Sequence, residues 1–256
     1  MAIIIKTKEE IKILREGGKR LATVLYKIKE IVKPGISTKD LDNYAFKLIK
    51  DIGDEPAFLN YHPEGASFAY PASICISVNN EVVHGIPNVK KILQEGDIVS
   101  LDLGLKHDGL FTDMALTVPV GEVSAASAKL VKITEEALDV GINVARGGNR
   151  VGDISYAIES FVRPHRYGIV EVLSGHGVGK HIHEDPYIPN FGKANTGVKL
   201  VSGMVVAIEP MLNNGTKDII LDKDGYTFHT ADGKKSAHFE HTILITEGKP
   251  EILTKI

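Results

Sequence analysis

The sequence predicts an α+β protein of two similar lobes. Helical and strand-like patterns alternate along the chain, and their order in the first half recurs in the second half. Each half also places an acid six residues after a glycine, at the end of an apolar strand: Asp102 after Gly96, and Glu209 after Gly203. With 256 residues, the chain is long enough for one sizeable core or two fused lobes.

We interpret this recurrence as an internal duplication. The segment VKPGISTKDLDNYAFKLIKD is weakly similar to VARGGNRVGDISYAIESFVRP. We therefore predict a single catalytic domain over residues 1–256, with pseudo-symmetric lobes about 1–121 and 122–256. Chance similarity is the alternative.

The first half begins with two helices. Thr7 with Glu10 matches a capping box, and apolar residues follow at helical spacing until Lys33-Pro34-Gly35 ends the pattern. Thr38 is the expected cap of a second helix, which ends near Gly53. Strands are expected over Ser73–Val78 and Ile98–Leu105.

The second half repeats this helix pair. Ser124 is expected to open a helix that Arg146-Gly147-Gly148 ends, and Asp153 is expected to cap the next helix.

Two aspartates are expected to meet on one face of a hairpin. The strand to Leu105 alternates apolar with polar residues, and an Asp-Gly pair at 108–109 favours a tight turn. In that register Asp102 pairs with Ala115, and Asp113 lies diagonal to Asp102, about 7–8 Å away. Two ordinary surface aspartates are the alternative interpretation.

Two glutamates end or begin apolar strands in the second half. Glu209 ends the run Met204–Ile208, and Glu240 leads into Ile243-Leu244-Ile245. A buried glutamate is seldom isolated, because burying an unpaired charge is very costly. A structural salt bridge is the alternative for either residue.

The chain has ten histidines, and three stand in glycine-rich or turn-like segments. His176 lies in GHGVG, His183 follows seven residues later, and His84 stands in VHGIP. For His181 and His241 the sequence does not decide between a functional role and a surface or core position. We expect the remaining histidines that we weighed to be surface or core residues: His107, His165, His229 and His238.

Charge balance predicts a metal site from five of these residues. Two divalent cations carry four positive charges, which four carboxylates would neutralise, leaving a neutral imidazole as the fifth ligand. Without metal, four acids held together would repel one another and bind protons. The predicted metal ligands are Asp102, Asp113, His176, Glu209 and Glu240.

Composition is that of an ordinary globular protein and gives no sign of nucleic-acid binding. The net charge is -3, and the lone cysteine, Cys75, excludes an internal disulfide and fits a reducing compartment. The start MAIIIKTKEE lacks a signal-peptide core, and no apolar run is long enough for a membrane span. A cytoplasmic protein without membrane contact is the expectation.

The chain resembles the bacterial-type type I methionine aminopeptidases, in the short form without an N-terminal extension. The resemblance runs essentially end to end and is strongest in SICISVNNEVVHGIP, SLDLGLKHDGLFTD, SGHGVGKHIHEDPYIPNFG, VVAIEPML and SAHFEHTILIT. It implies the duplicated "pita-bread" fold, with a central antiparallel sheet and flanking helices. By position, the family's metal ligands fall on the five residues named above, and its substrate-contacting histidines fall on His84 and His183.

The resemblance also implies an activity, namely removal of the initiator methionine from nascent chains whose second residue is small. Glu209 would carry protons, His183 would contact the carbonyl side, and His84 the scissile nitrogen. Two ions of Co²⁺, Mn²⁺, Fe²⁺ or Zn²⁺ suit the ligand set, and the choice stays open. The expected partners are N-termini of nascent polypeptides near the ribosomal exit tunnel, met by a monomer.

The methionine pocket is where this chain departs from the family pattern. An insertion at 62–67 makes the role of Tyr61 uncertain, while Ile182 and Tyr226 replace a frequent Phe and Trp. The resemblance places these residues near the pocket: Tyr61, Tyr70, Cys75, Ile182 and Tyr226.

Two other functions stay open at this stage. A proline-specific peptidase of the same fold would act on a bond before proline, but such enzymes commonly carry a large extra N-terminal domain. A non-catalytic binding relative would keep the fold, but that class usually loses metal ligands.

Overall fold

The computed structural model describes residues 3–256; Met1 and Ala2, the first two residues of the stretch compared with signal peptides, lie outside it. Within that range the chain forms four α-helices: α1 Lys8–Glu30, α2 Thr38–Asp51, α3 Ala125–Val144 and α4 Val151–Val162. A short 3-10 helix, Arg163–His165, extends the last of them. No helix of residues 3–256 is long and apolar enough to cross a bilayer.

Fifteen strands accompany these helices in the described residues. The first half contains β1 Glu55–Pro56, β2 Cys75–Val78, β3 Glu81–Val83, β4 Ile98–His107 and β5 Leu110–Pro119. The second half contains β6 Gly168–Ile169, β7 Ser174–Gly177, β8 Glu184–Pro189, β9 Val205–Ile208, β10 Met211–Asn213, β11 Ile219–Leu221, β12 Phe228–Thr230, β13 Ser236–His238, β14 Glu240–Leu244 and β15 Glu251–Ile252.

One large sheet joins the two halves. Its central path runs β1-β4-β5-β14-β9-β7-β8, with β2 added on β4 and β15 on β14. Every pairing in it is antiparallel. Two three-stranded sheets, β13-β10-β6 and β11-β12-β3, complete the described strands. The predicted central antiparallel sheet is therefore confirmed.

The helices form where local signals predict them, with two corrected caps. The capping box of Thr7 and Glu10 is present, and Ser124 caps α3. The second helix is capped by Ser37, not by Thr38, because the Ser37 hydroxyl accepts from the Asp40 N–H.

The prediction that Asp153 caps the fourth helix is also wrong. Arg150 occupies the N-cap position of α4, and the Asp153 carboxylate reaches back to accept from the Arg150 N–H at 2.7 Å. Asp153 is thus the third residue of the helix, and its charge favours the helix N-terminus.

The two halves repeat a backbone arrangement around the acids. Gly96 (φ +89°) precedes β4, and its N–H donates to Val120 just after β5. Gly203 (φ +93°) precedes β9, and its N–H donates to Ile245 just after β14. These matching turns agree with a duplication, while the lobe boundary near 121 stays a prediction.

Packing holds the strands that bear the acids between buried layers. Helix α1 packs on β4 and β5, and α3 packs on α4 and against β5. Alternate residues of β4 enter the main core, including the fully buried Leu101 and Leu103. The opposite face of the same strand therefore presents Asp102 toward a cavity.

Candidate metal centre

Three of the predicted ligands share one region of the large sheet. In the β4–β5 hairpin Asp102 lies opposite Ala115, and Gly104 lies opposite Asp113, in the register that the Asp-Gly turn predicts. Across β5, Ala115 also pairs with Glu240 of β14. Asp102 and Glu240 therefore flank Ala115 in one row, with Asp113 two residues before it.

The remaining two ligands come from the neighbouring strands. His176 of β7 pairs with Ala207 of β9, and Glu209 follows the last residue of β9. The Nε2 atom of His176 lies 3.4 Å from Oε1 of Glu209. The Glu209 backbone is held by Asn190, whose amide donates to its carbonyl at 3.1 Å.

These side chains fit a divalent cation. Ligand atoms of Asp113, His176 and Glu240 all lie within 4.8 Å of one another. Within residues 3–256, Oδ1 of Asp102 and Oε1 of Glu240 are buried without a hydrogen-bond partner. Buried carboxylate oxygens without donors are costly unless a cation binds them, so the donor set suits a metal.

The tautomer of His176 also suits metal binding. Its Nδ1 donates to the Gly177 carbonyl at 2.9 Å, so the proton is on Nδ1 and the lone pair is on Nε2. A ligand histidine is commonly oriented in this way. Burial lowers the pKa of His176 to about 3, so the ring is neutral at pH 7.

The four acids repel one another when no cation is bound. Loss of hydration raises the pKa of Asp102 to about 7. It also raises the pKa values of Asp113, Glu209 and Glu240 well above the ordinary range, and neighbouring carboxylates raise them further. This agrees with the expectation that the acids bind protons in the absence of metal.

The two other predicted histidines reach the same cavity. His84 and His183 line it together with all five proposed ligands, and the His183 ring centroid lies 4.5 Å from that of His176. Tyr61 bonds to Nδ1 of His183 through its hydroxyl, at 2.9 Å. Burial lowers the pKa of His84 to about 4, so His84 is also neutral at pH 7.

The other end of the cavity is apolar. Phe58, Tyr70, Cys75, Ile182 and Tyr226 form one buried cluster, with Tyr61 packed against it. All of these except Ile182 also line the cavity of about 130 Å³ that contains the acids.

The insertion at 62–67 contributes Pro63 to the lining and leaves Tyr61 beside His183. Gly104, opposite Asp113 in the hairpin, leaves no room for a side chain, because a Cβ there would lie 2.8 Å from atoms of Phe58 and Ala57.

Sequence reasoning missed one residue of this centre, His238. It was expected to be a surface or core histidine, and it is buried, but its Nε2 lies 3.7 Å from Oε2 of Glu209. The available signal was its position two residues before Glu240, because alternation along extended chain can place such residues on one side. By contrast, His107 contacts Asp54, and His241 contacts Thr254, both away from the acids.

Known proteins place this chain in a family. The model of metallopeptidase family M24 matches residues 12–247. The chain belongs to metallopeptidase family M24. Within this family it is 46% identical to methionine aminopeptidase 1 of Bacillus subtilis over 254 residues, which cover 99% of this chain and all of that relative. It is 44% identical to a methionine aminopeptidase of Aquifex aeolicus, with both chains fully covered.

Solved structures of the family confirm the two-lobed pita-bread fold. A methionine aminopeptidase from Thermotoga maritima superposes with a TM-score of 0.96 at 42% identity over the whole of both chains. A prolidase from Pyrococcus furiosus gives a TM-score of 0.79 at 25% identity, and this M24 chain covers 66% of it. The resemblance to short bacterial-type methionine aminopeptidases is thus confirmed, and the chain is a metallopeptidase.

Proposed function

We propose that this metallopeptidase is a methionyl aminopeptidase, which removes the initiator methionine from nascent proteins whose second residue is small. The observation that supports this most is the apolar cluster around Tyr70 and Cys75, which lines the same cavity as the five metal-binding candidates. An apolar pocket for one unbranched side chain, next to a hydrolytic centre, suits an enzyme that cleaves after methionine.

We infer that two divalent ions are held by Asp102, Asp113, His176, Glu209 and Glu240. Four carboxylates match the charge of two such ions, and Asp102 and Glu209 extend the compact group of Asp113, His176 and Glu240. Mn²⁺, Fe²⁺, Co²⁺ and Zn²⁺ all suit mixed carboxylate and imidazole ligands. When bound, such ions supply Lewis-acid chemistry, because they make water more acidic and polarise a carbonyl group.

The residues around the ions would handle protons and orient the substrate. Glu209 would accept a proton from the attacking water and deliver it to the departing amine. The Tyr61 hydroxyl would donate to Nδ1 of His183, which leaves the Nε2–H of His183 to donate to the scissile carbonyl oxygen. His84, which lines the same cavity, would contact the scissile nitrogen.

The alternative activities have less support. The prolidase from Pyrococcus furiosus is less similar and longer, whereas the methionine aminopeptidases match over their full lengths. A non-catalytic binding protein would not need to keep five ligands together with two further histidines in one cavity.

The setting of the reaction is also a proposal. We expect the protein to act in the cytoplasm, as a monomer, on N-termini near the ribosomal exit tunnel. The single buried Cys75 fits a reducing compartment, and nothing in the net charge of -3 points to direct nucleic-acid binding.

Peptide hydrolysis tests the proposed activity. Metal-depleted protein supplied with Mn²⁺ or Co²⁺ should release methionine from Met-Ala-Ser and leave Met-Lys-Ser and Ala-Pro-Ser nearly untouched. Protein kept in chelator should release none. Equal cleavage of Met-Ala-Ser and Met-Lys-Ser, or preference for Ala-Pro-Ser, would exclude this function.

A further inference from the structure

His238 is a buried polar side chain with no partner of its own. Its exposed fraction is 1%, and neither ring nitrogen finds a hydrogen-bond partner anywhere in the part of the chain that the structure describes. Buried polar groups are nearly always hydrogen-bonded, so an orphaned imidazole needs an explanation.

The backbone aims this ring at the metal centre. The N–H of His238 donates to the Thr117 hydroxyl at 2.9 Å, and that hydroxyl donates back to the His238 carbonyl at 2.8 Å. On its other side His238 lies opposite Met211 in the β10–β13 pairing. The backbone of His238 is held on both sides, and its buried ring has Nε2 3.7 Å from Oε2 of Glu209.

The Glu209 carboxylate lies between two imidazoles. Its Oε1 is 3.4 Å from Nε2 of His176, and its Oε2 is 3.7 Å from Nε2 of His238. The second distance exceeds the roughly 3.2 Å limit of a good hydrogen bond by only about 0.5 Å, so a small rotation of the carboxylate closes it.

The three side chains have complementary hydrogen-bonding states. Because Nδ1 of His176 carries that ring's proton, its Nε2 cannot donate to Glu209. Neither ring nitrogen of His238 has another partner, so an imidazole N–H of this ring is free to donate. Glu209 is therefore left with His238 as its imidazole donor.

We propose that His238 is a positioning residue of the metal centre, whose Nε2–H donates to Oε2 of Glu209 and fixes that carboxylate for metal binding and proton transfer. The inference rests on the proposed metal centre. Carboxylates that bind metals are usually hydrogen-bonded themselves, and the loss of such a bond typically costs 10–100-fold in metal affinity or activity. His238 would thus act on the reaction only through Glu209.

Two substitutions at His238 distinguish a role as hydrogen-bond donor from a role in packing alone. His238→Leu keeps an apolar side chain of similar size without a donor, whereas His238→Gln can place an amide N–H near the position of Nε2. His165→Leu, the same change at a residue of the 3-10 helix that does not line the cavity, is the matched control.

Binding of Mn²⁺ by calorimetry, and kcat and KM for Met-Ala-Ser, should be measured for each variant. We expect His238→Leu to lose about 10–100-fold in affinity for Mn²⁺ or in kcat, with KM little changed, and His238→Gln to restore most of the loss. His165→Leu should match the unmodified protein.

Two further measurements exclude a merely structural role. The Tm of the metal-free His238→Leu protein should not fall, because the Nε2–Oε2 separation of 3.7 Å is too long for a hydrogen bond until the Glu209 carboxylate rotates. In a double-mutant cycle, His238→Leu should cost much less metal affinity in a Glu209→Gln background than alone, since the two residues would act as one unit.

Several results would overturn the inference. Unchanged Mn²⁺ affinity and kcat in His238→Leu would show that the bond is not made. Equal loss of metal in His238→Leu and His238→Gln would make His238 a ligand, and additive losses with Glu209→Gln would separate the two residues. If the unmodified protein binds Mn²⁺ but does not cleave Met-Ala-Ser, the proposed function fails while the affinity measurements still test the role of His238.

Discussion

At the scale of single residues, the centre depends on groups that are unfavourable without their ligand. Asp102 and Glu240 keep buried oxygens without donors, and Glu209 lies between two neutral histidines. Each of these arrangements costs folding free energy in the metal-free chain and suits a bound cation. The proposed metal ligands and the two histidines proposed to contact substrate should therefore respond differently to substitution.

Glu209→Gln removes one ligand charge and the proposed proton carrier while keeping the side-chain size. We expect both metal content and turnover to fall, with turnover lower by at least about 10²-fold, as for loss of a general acid or base. Metal analysis and the rate on Met-Ala-Ser measure this, with the exposed Glu135→Gln as control. Metal content and rate close to those of the unmodified protein would remove Glu209 from the site.

His84→Ala and His183→Ala should leave metal binding intact, because all five proposed ligands remain. The rate should still drop about 10²–10³-fold, the usual effect of removing a donor to a developing oxyanion. For His183 the loss should appear in kcat as well as kcat/KM. Calorimetric metal titration decides the roles: if His183→Ala abolishes metal binding, His183 is a ligand and the set of five is wrong.

At the scale of elements, the loop that carries His183 is tied to the N-terminal segment by a buried ion pair. Lys6 Nζ lies 2.5 Å from Oε2 of Glu184, and both side chains are almost fully buried. The other Glu184 oxygen accepts from the N–H groups of Lys180 and His181. The Glu184 carboxylate therefore joins the stretch from Lys180 to Glu184 to the N-terminal segment.

Lys6→Met should leave the Glu184 charge buried without its partner. Removing one member of a buried pair typically costs ~3–5 kcal/mol in the free energy of unfolding. Lys47→Met, which breaks an exposed pair with Asp51, should lower the free energy of unfolding far less, because water screens that pair. Chemical denaturation of the two variants measures the difference, and equal stabilities would refute a structural role for the buried pair.

Local patterns in the sequence predicted most of these elements. Helices α1 and α3 begin where a hydroxyl cap precedes apolar residues at helical spacing, and the Asp-Gly turn set the register of Asp102 against Ala115. Strand Ile98–Leu105 extends to His107, because β5 continues to pair with it.

Elements that depend on distant partners could not be predicted in this way. The three-residue strands β10 and β13 are too short for a periodic pattern, and they exist through pairing with each other. For the same reason the sequence did not place His238 against Glu209, since the contact depends on the path of the chain between two sheets. The sequence predicted Thr38 as the cap of α2, whereas Ser37 is the cap. The two residues are adjacent and both carry a hydroxyl group, so the local sequence pattern does not show which one caps the helix.

At the scale of the whole molecule, burial of like charges should make the metal-free protein sensitive to pH. The pKa of Asp102 is raised to about 7, and those of Asp113, Glu209 and Glu240 are also raised, so protonation of these acids stabilises the folded state. That stabilisation is lost as the pH rises through the raised pKa values.

The buried histidines change the stability of the folded protein with pH in the opposite direction, but at lower pH. The pKa of His84 is lowered to about 4 and that of His176 to about 3. Their contribution to the stability of the folded state is therefore complete above the ordinary histidine pKa and is lost only on acidification. The Tm of metal-free protein should therefore fall from pH 7 to pH 9, and saturating Mn²⁺ should reduce that fall. A metal-free Tm that is constant or rises over this range would contradict the buried acid cluster.

The central claim is that five side chains, drawn from both halves of the chain, bind two divalent ions in one buried site. Anomalous diffraction from crystals containing Mn²⁺ tests this most directly. We predict two strong peaks among Asp102, Asp113, His176, Glu209 and Glu240, with each of these residues bound to at least one ion. A single peak, peaks elsewhere, or one of these five side chains binding neither ion would contradict the claim.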